Sequence, residues 1–446
     1  MRERFSGMLV LCMAIGLGSV AVARDVPVTD AASLTAAIET AEPGDAITLA
    51  PGLYRMERVP VTRAGSADAP IRVTAREPGD TRLQFSGTEL FKVSAPHWQF
   101  SGLDIEGSEG ASHAFHVVGK ADGFVLQGSR LRSFHAALKA NPEGGEAPDD
   151  VLIEGNIFYN ATPRRTAKPV TPIDVVGGDR WIIRGNFIAD FAKADGNGIS
   201  YGAFLKGGGR NGVVERNLVI CEWRHTGGAR VGLSFGGGGS TPCSGGACPL
   251  EHAGGIMRNN IVLNCPEAPG IDINRSQDVS IRHNTIYRSW GIVARSPGTV
   301  ANVRNNLMSG AAGTRDGATL VGDGNIEAGF ALGGYAPGAA ERLKEQLDDP
   351  SLKERIDRFA DWFSDSRAGR NDARLEEWFR DPGKADFRLK DGISAGKLAG
   401  EVKLAHPSHD FCGRARSAVV QVGAVDYGSG VCDVQGWLDT MLSRFP

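Results

Sequence analysis

The chain has 446 residues, 60 of which are glycine, and its charged side chains nearly balance at a net charge of −3. This length would hold two or three ordinary domains, and the small net charge gives no electrostatic footprint for nucleic acid. We therefore expect no nucleic-acid partner, and the glycine content indicates many tight turns.

Residues 1–23 have the pattern of a secretory signal peptide. Arg2 and Arg4 precede an apolar run that starts at Met8, and small residues at 21–23 allow cleavage near Ala23. The run is too short to favour a membrane span. We expect an exported protein, periplasmic or secreted, with no membrane span.

Six of the seven cysteines remain after that cleavage, because Cys12 lies within the signal peptide. An even number of cysteines in an exported chain indicates disulfides. We expect the pairs Cys243–Cys248 and Cys412–Cys432, while the sequence alone leaves the full pairing open.

The first predicted element of the mature chain is a short amphipathic helix that begins near Ala31 and ends near Gly44. A stack of strands needs such a cap, because its first rung is otherwise an unpaired edge. Residues 46–54 and 69–75 follow, and we predict that they form the first full rungs.

One phrase then recurs: an apolar strand, a corner, and a second apolar strand. Its corner asparagines are Asn156, Asn186, Asn217, Asn260, Asn284 and Asn306, at steps of 30, 31, 43, 24 and 22 residues. Weaker copies have Gly102, Ser129 and Asn325 at the corner. Asparagine tolerates left-handed backbone angles and bonds to nearby backbone, so stacked coils should align these side chains. Glycine-rich links in place of amphipathic helices favour a parallel β-helix over residues 24–330 rather than an α/β fold.

Residues 331–395 differ, because segments such as 340–363 show helical spacing and dense charge. We predict a helical insertion there, followed by a closing segment at 396–446 with β character around 419–425. We expect the whole chain to be a monomer.

Three stretches resemble secreted proteins of the pectin lyase-like type. Residues 34–54 and 410–426 resemble the start and the closing segment of such chains, and residues 65–75 resemble the second rung of the chondroitinase B and alginate lyase family. The resemblance implies an all-β, single-stranded right-handed parallel β-helix. It suggests a polysaccharide lyase, although this fold also hosts hydrolases, epimerases and binding proteins.

Counting back 10–12 residues from the corner asparagines predicts one polar strip on the surface, at Asp174, Lys206, Asp272 and Asn274. In the enlarged coil before Asn260, the equivalent strand is predicted at 230–235. The predicted strip and its neighbouring loops contain Asp174, Asp195, Asn197, Lys206, Arg224, His225, Arg230, Asp272, Asn274 and Arg275.

The resemblance also implies roles. In the chondroitinase B-like family a lysine on one coil acts as base and an arginine on the next as acid, and Lys206 and Arg230 match that order. A lysine base must lose its proton, and a neighbouring cation such as Arg230 would lower its pKa. His225 is a further catalytic candidate. The residues expected to bind a polysaccharide are Arg224, Asp272, Asn274 and Arg275.

That family neutralises the substrate carboxylate with calcium, held by acidic residues and an asparagine upstream of the lysine. Here the matching stretch, residues 195–202, has one carboxylate, whereas calcium usually takes several oxygen ligands. Three outcomes stay open: a reduced calcium site at Asp174, Asp195 and Asn197, a calcium-free arginine clamp, or no lyase activity.

The leading hypothesis is a secreted lyase that cleaves an anionic, uronate-containing glycan by β-elimination. The second is a glycoside hydrolase using Asp174 and Asp272, whose carboxyl groups would have to lie about 5–9.5 Å apart. The third is a non-catalytic envelope protein that binds glycans. A purely structural role is also open for Arg230, as a partner of Glu222 or Asp272.

Overall fold

The computed structural model describes residues 23–196, 198–237, 249–328, 375–400, 407–428, 430 and 432–445. The predicted signal peptide up to residue 22, Asn197, the predicted Cys243–Cys248 pair and residues 329–374 of the predicted insertion lie outside the described residues. Across the described ranges, no helix is long and apolar enough to span a membrane.

Three long parallel sheets form the faces of a β-helix, and the chain passes through them in turn. In the described part of the chain, the first sheet contains Asp25–Val28, Ala46–Leu49, Ile71–Ala75, Trp98–Ser101, Val125–Gln127, Leu152–Glu154, Ile182–Arg184, Val213–Glu215, Ile256–Arg258, Val279–Arg282, Val300–Arg304 and Thr319–Val321. The second contains Gly52–Met56, Thr81–Phe85, Asp104–Gly107, Arg130–Arg132, Ile157–Tyr159, Phe187–Ala189, Leu218–Ile220, Ile261–Cys265, Thr285–Ser289, Leu307–Met308 and Ile326–Glu327. The third contains Val59–Val61, Glu89–Val93, His113–Val118, Leu138–Asn141, Ile173–Val176, Ser200–Lys206, Arg230–Phe235, Ile271–Asn274, Gly291–Arg295 and Ala311–Arg315.

Smaller elements complete the structure. A short parallel sheet joins Gly209–Arg210, His252–Ala253 and Ser276–Gln277, and one antiparallel pair joins Phe379–Asp381 to Asp386–Leu389. The helices described are α1 (Ala31–Glu39), α2 (Leu375–Trp378) and α3 (Val434–Ser443), with 3-10 turns at Pro382–Lys384 and Ala395–Leu398. The described end of the predicted helical insertion is thus one helical turn followed by a hairpin.

The corner asparagines form a continuous ladder from Asn156 to Asn325. At each step the Oδ1 atom of one asparagine accepts the backbone N–H and the Nδ2–H of the asparagine on the preceding coil, at 2.9–3.1 Å. Ser129 extends the ladder upstream, because its backbone N–H donates to Asn156 Oδ1 at 2.9 Å. The predicted β-helix and the alignment of its corners are confirmed.

The left-handed backbone angles lie one residue before each asparagine. Gly155 and Gly185 have φ angles of 64° and 62°, and Arg216 and Asn259 have 54° and 56°. Our expectation that the aligned asparagine itself takes up this conformation is therefore wrong. Its amide is what the corner requires, because one group can donate to one coil and accept from another.

The interior is a single apolar column closed at its N-terminal end by α1. Leu34 and Ile38 of this helix are fully buried in the same cluster as the first rungs. A capping box sets the helix start, since Asp30 Oδ1 accepts the Ser33 N–H at 2.8 Å. The amphipathic cap predicted from the sequence is present.

The C-terminal residues from 375 onward pack over the outer face of the second sheet. Leu263 and Tyr287 of that sheet share one buried apolar cluster with Phe379, Phe411 and Leu438. Around the predicted β segment at 419–425, only an isolated bridge between Ala399 and Gln421 is found among the described residues. This segment covers the second sheet and leaves the outer face of the third sheet to solvent and ligand.

Two disulfides stabilise the described structure. Cys412–Cys432 lies within the closing segment and confirms one predicted pair. Cys221–Cys265, which we did not anticipate, joins two neighbouring coils where each leaves the second sheet.

Candidate functional site

Outward-facing residues of the third sheet align in two rows, because its strands are parallel and in register. One row runs through Lys92, His116, Lys139, Asp174, Phe204, Ser234, Asp272 and Val293. The other contains Val176 beside Lys206 and, further along, Asn274, Arg295 and Arg315. The sheet therefore brings together Asp174, Lys206, Asp272 and Asn274, two in each row.

Lys206 is half-buried on this face, with its ammonium 4.3 Å from the centre of the Phe204 ring. Burial lowers the pKa of Lys206, and the nearby cations Lys139 and Arg275 lower it further, against the opposing effect of Asp174 and Glu251. The predicted lowering of this pKa is thus found, but burial is its main cause and Arg230 is not among its causes.

Arg230 lies inside the turn at 221–229, with a residue exposure of 1%. Its guanidinium donates to the carbonyl oxygens of Cys221, His225 and Gly227, the last two at 2.9 and 2.7 Å, and pairs with Glu222 at 3.4 Å. The predicted position on the surface strip is therefore wrong for Arg230. It stands at the first residue of its strand, where the side chain still points into the turn.

Two further predicted binding residues are also turned away from solvent. Arg275 is buried and forms an ion pair with the buried Glu251, which accepts the Gly207 N–H at 3.0 Å. Asn274 is buried, and its Oδ1 accepts the hydroxyl of Ser296 at 2.8 Å. Both residues support the corner beside Lys206 and do not line an open surface.

Arg224 and His225 lie in the same turn as Arg230, between the second and third sheets. The Arg224 guanidinium stacks on the Trp223 ring at 3.8 Å, which places it toward the second sheet. His225 donates its backbone N–H to the buried Asp190 at 3.3 Å. The structure does not bring either residue into the two rows of the third sheet.

The predicted calcium ligands do not fit a calcium site. Asp174 is committed to Lys139, whose Nζ lies 2.7 Å from its Oδ1. Asp195 is exposed on the loop before Ser200, and Asn197 lies outside the described residues. Within the described ranges, no group of three or more His, Cys, Asp or Glu residues could hold a metal ion.

A groove of about 300 Å³ opens at the C-terminal end of the third sheet. Its polar floor is the pair Asp272 and Arg295, in which the guanidinium Nε and Nη2 atoms lie 3.0–3.2 Å from the carboxylate oxygens. We call this the arginine groove, and it is lined by Ile199, Tyr201, Ala229, Val231, Gly237, Glu267, Ala268, Pro269, Asp272, Trp290, Val293, Arg295 and Arg315.

Tyr201 connects the arginine groove to Lys206. Burial raises the pKa of Tyr201 to about 12, Asp272 adds to this rise, and Arg295 and Arg315 oppose it. The Tyr201 hydroxyl donates to the carbonyl of Gly237 at 3.4 Å. A Cβ atom placed on Gly237 would lie 3.6 Å from Cδ of Lys206. Lys206 and Tyr201 therefore flank the same peptide on the sheet face.

The sequence count missed the arginines of this groove, although the same rule finds them. Arg295 lies 11 residues before Asn306 and Arg315 lies 10 before Asn325 (306 − 295 and 325 − 315). Tyr201 lies 16 residues before Asn217 (217 − 201), outside the offset that we used. No comparable spacing points to Trp290, which lies at the turn that leads into Gly291–Arg295.

A family model described as "Right handed beta helix region" matches residues 113–328. The structure is similar to pectate lyase Pel9A, with a TM-score of 0.55 at 13% identity, over 91% of this chain and 97% of that one. The chain is a pectin lyase-like right-handed parallel β-helix. At this identity the likeness shows the fold of the β-helix alone.

Two further matches span different chemistries. An alginate lyase from Paenibacillus sp. str. FPU-7 has a TM-score of 0.38 at 17% identity, over 69% of this β-helix and 96% of that chain. The GH136 lacto-N-biosidase from Eubacterium ramulus has a TM-score of 0.47 at 10% identity, over 67% and 64%. No curated protein matches the sequence.

Proposed function

We propose that this β-helix is a polysaccharide lyase that cleaves a uronate-containing glycan by β-elimination on the outer face of its third sheet. The observation that carries the proposal is the half-buried Lys206 with a lowered pKa, on the same face as the fixed guanidinium of Arg295. Pectate and alginate lyases are among the proteins that share this fold, which is in keeping with the proposal.

The reaction needs a base, an acid and a positive charge near the substrate carboxylate. The neutral amine of Lys206 would take the proton α to the carboxylate, at C5 of the uronate. The electron pair left behind forms the C4–C5 double bond while the C4–O glycosidic bond breaks. Tyr201 keeps its proton at neutral pH and would donate it to the leaving oxygen. Exchange with solvent then restores both groups.

The hydrolase alternative loses its carboxylate pair. Asp174 and Asp272 lie in one row, but the strands of Phe204 and Ser234 separate them. Three rungs of about 4.8 Å give about 14 Å, beyond the roughly 9.5 Å limit for a glycosidase pair. Each carboxylate also has its own cationic partner, Lys139 for Asp174 and Arg295 for Asp272.

We also propose that the protein acts outside the cytosol. Disulfides persist mainly in oxidising compartments, and both Cys221–Cys265 and Cys412–Cys432 are placed for bonding. Detection of a mature chain that begins near Arg24 in the exported fraction would test this and the predicted signal peptide together.

The lyase test is incubation with alginate, pectate, rhamnogalacturonan and glycosaminoglycans while the absorbance of the unsaturated product is followed. We expect product from one of these polymers, and a loss of about 10²–10⁴-fold in kcat for Lys206→Ala. Lys92→Ala is the matched control, since Lys92 lies on the same face but pairs with Glu143. Full activity in Lys206→Ala would refute the assignment.

The same assay separates the other two functions. A hydrolase would release new reducing ends with no rise in absorbance. A non-catalytic binding protein would retain one of the polymers in an affinity gel and release neither product.

A further inference from the structure

We infer that Arg295 and Arg315 bind the substrate carboxylate directly, as an arginine clamp that takes the place of calcium. This inference rests on the proposed lyase function, because it assigns the positive charge that the elimination requires. It concerns binding, so it can be tested without turnover.

The carboxylates of this face are not arranged for a cation. Asp174 is bonded to Lys139, and Asp272 is bonded through both oxygens to Arg295. Calcium would have to displace these side chains and collect about six to eight oxygen ligands. The described residues offer no acidic cluster of that kind, so the donor set disagrees with a calcium site.

The arginines are arranged for an anion. Asp272 holds Arg295 through Nε and Nη2, so the guanidinium has a fixed orientation at the groove floor. An arginine with one edge on a carboxylate can present another edge to a second anion, and a bidentate geometry adds specificity. Arg315 follows Arg295 in register on the next strand, about 4.8 Å away. The two guanidinium groups can therefore approach one carboxylate from neighbouring rungs.

The walls of the arginine groove suit a single sugar ring. Its volume of about 300 Å³ is at the lower end of the range for small-molecule sites. Trp290 lines one side, with its indole N–H bonded to the Pro266 carbonyl at 3.1 Å. An aromatic ring held in this way can stack on the apolar face of a sugar. Glu267, also in the lining, can accept sugar hydroxyls.

The groove should therefore distinguish a uronate from a neutral hexose. A neutral ring would displace water from both guanidinium groups without supplying an anion, which leaves buried donors unpaired. A uronate replaces those waters with charge-assisted hydrogen bonds.

The experiment measures the Kd of free galacturonate, mannuronate and glucuronate by ligand-observed NMR, with galactose as the neutral probe. These monosaccharides have no glycosidic bond to cleave, so the result does not depend on lyase activity. We expect one uronate to bind with the same Kd in EDTA and in calcium, and galactose to bind at least about tenfold more weakly.

Variants locate the binding site. Arg295→Ala and Arg315→Ala should each weaken uronate binding by about tenfold or more, and Arg295→Lys, which keeps the charge but not the two-pronged geometry, by several-fold. Arg72→Ala is the matched control, because Arg72 is exposed on the first sheet. Binding that is lost in EDTA and restored by calcium, or that survives in both alanine variants, overturns the clamp. Uronate binding that depends on the arginines, with no unsaturated product from any polymer, supports the clamp and rejects the lyase function.

Discussion

Arg230→Met removes the guanidinium that holds together the turn at 221–229. Arg230 is 1% exposed and serves the carbonyl oxygens of Cys221, His225 and Gly227, together with the carboxylate of Glu222. Methionine has a similar length but no donor, so these acceptors are left without their partner. We expect a loss of stability that is much larger than the loss of turnover.

The magnitude follows from the groups that are left behind. An unpaired buried polar group costs about 1–3 kcal/mol, and breaking a buried ion pair costs about 3–5 kcal/mol. Methionine recovers part of this because it needs no desolvation, and the turn can admit water. We expect the free energy of unfolding to fall by about 3–5 kcal/mol, which corresponds to a Tm about 10 °C lower.

Urea and thermal denaturation, followed by circular dichroism, would measure this loss, and kcat would be measured at a temperature where the variant is folded. We expect kcat to stay within about tenfold of the wild type, because a general acid is worth about 10²–10⁴-fold. Arg224→Met is the matched control for stability, since Arg224 stacks on Trp223 and such a contact is worth about 0.5–1 kcal/mol. An Arg230→Met variant with wild-type stability and a kcat at least about 100-fold lower would refute our placement of Arg230.

Three other variants test the ladder and the two proposed catalytic groups. Asn217→Ala leaves the Asn186 N–H and the Ile183 carbonyl without partners, and urea denaturation should show a loss of about 2–5 kcal/mol; a loss no larger than that of a surface alanine variant would contradict the ladder's role. Lys206→Met should raise Tm at neutral pH, because a lowered pKa means that the protonated amine costs free energy in the fold. That cost is complete below the folded-state pKa and vanishes as the pH rises to the ordinary lysine value, so a gain in Tm that persists there would argue against it. In the wild type the lyase rate should rise with pH as Lys206 loses its proton, and a pH-independent rate would speak against a lysine base. Tyr201→Phe should lower kcat by about 10²–10⁴-fold with a smaller change in KM, and an unchanged kcat would exclude it as the acid.

The phase of the coils could be predicted from the sequence because one side chain repeats with one task. Each corner asparagine bonds to the coil before it, so its spacing reports the length of every coil. The count from Asn186, Asn217 and Asn284 placed Asp174, Lys206 and Asp272 on the outer face of one sheet. The fold and that face follow from hydrogen bonding and strand periodicity.

The same count fails where the coil changes length. Arg230 lies 30 residues before Asn260 (260 − 230), because the extra residues of this coil come after its strand, Arg230–Phe235. We located that strand by its apolar pattern alone, and a pattern does not tell whether its first residue faces the groove or the turn. The pair of Arg275 with Glu251 was also hidden, since Glu251 comes from the far side of the enlarged coil.

The turn that buries Arg230 also forms one wall of the arginine groove. Ala229 and Val231, the neighbours of Arg230, line that wall, and so do Ala268 and Pro269, which follow Cys265. The disulfide between Cys221 and Cys265 ties together the two turns from which these residues come. A cross-link and a buried cation thus restrain the backbone beside Asp272 and Arg295, where a clamp must keep its geometry to discriminate. The arginine that we first expected to donate a proton is placed to hold the site in shape instead.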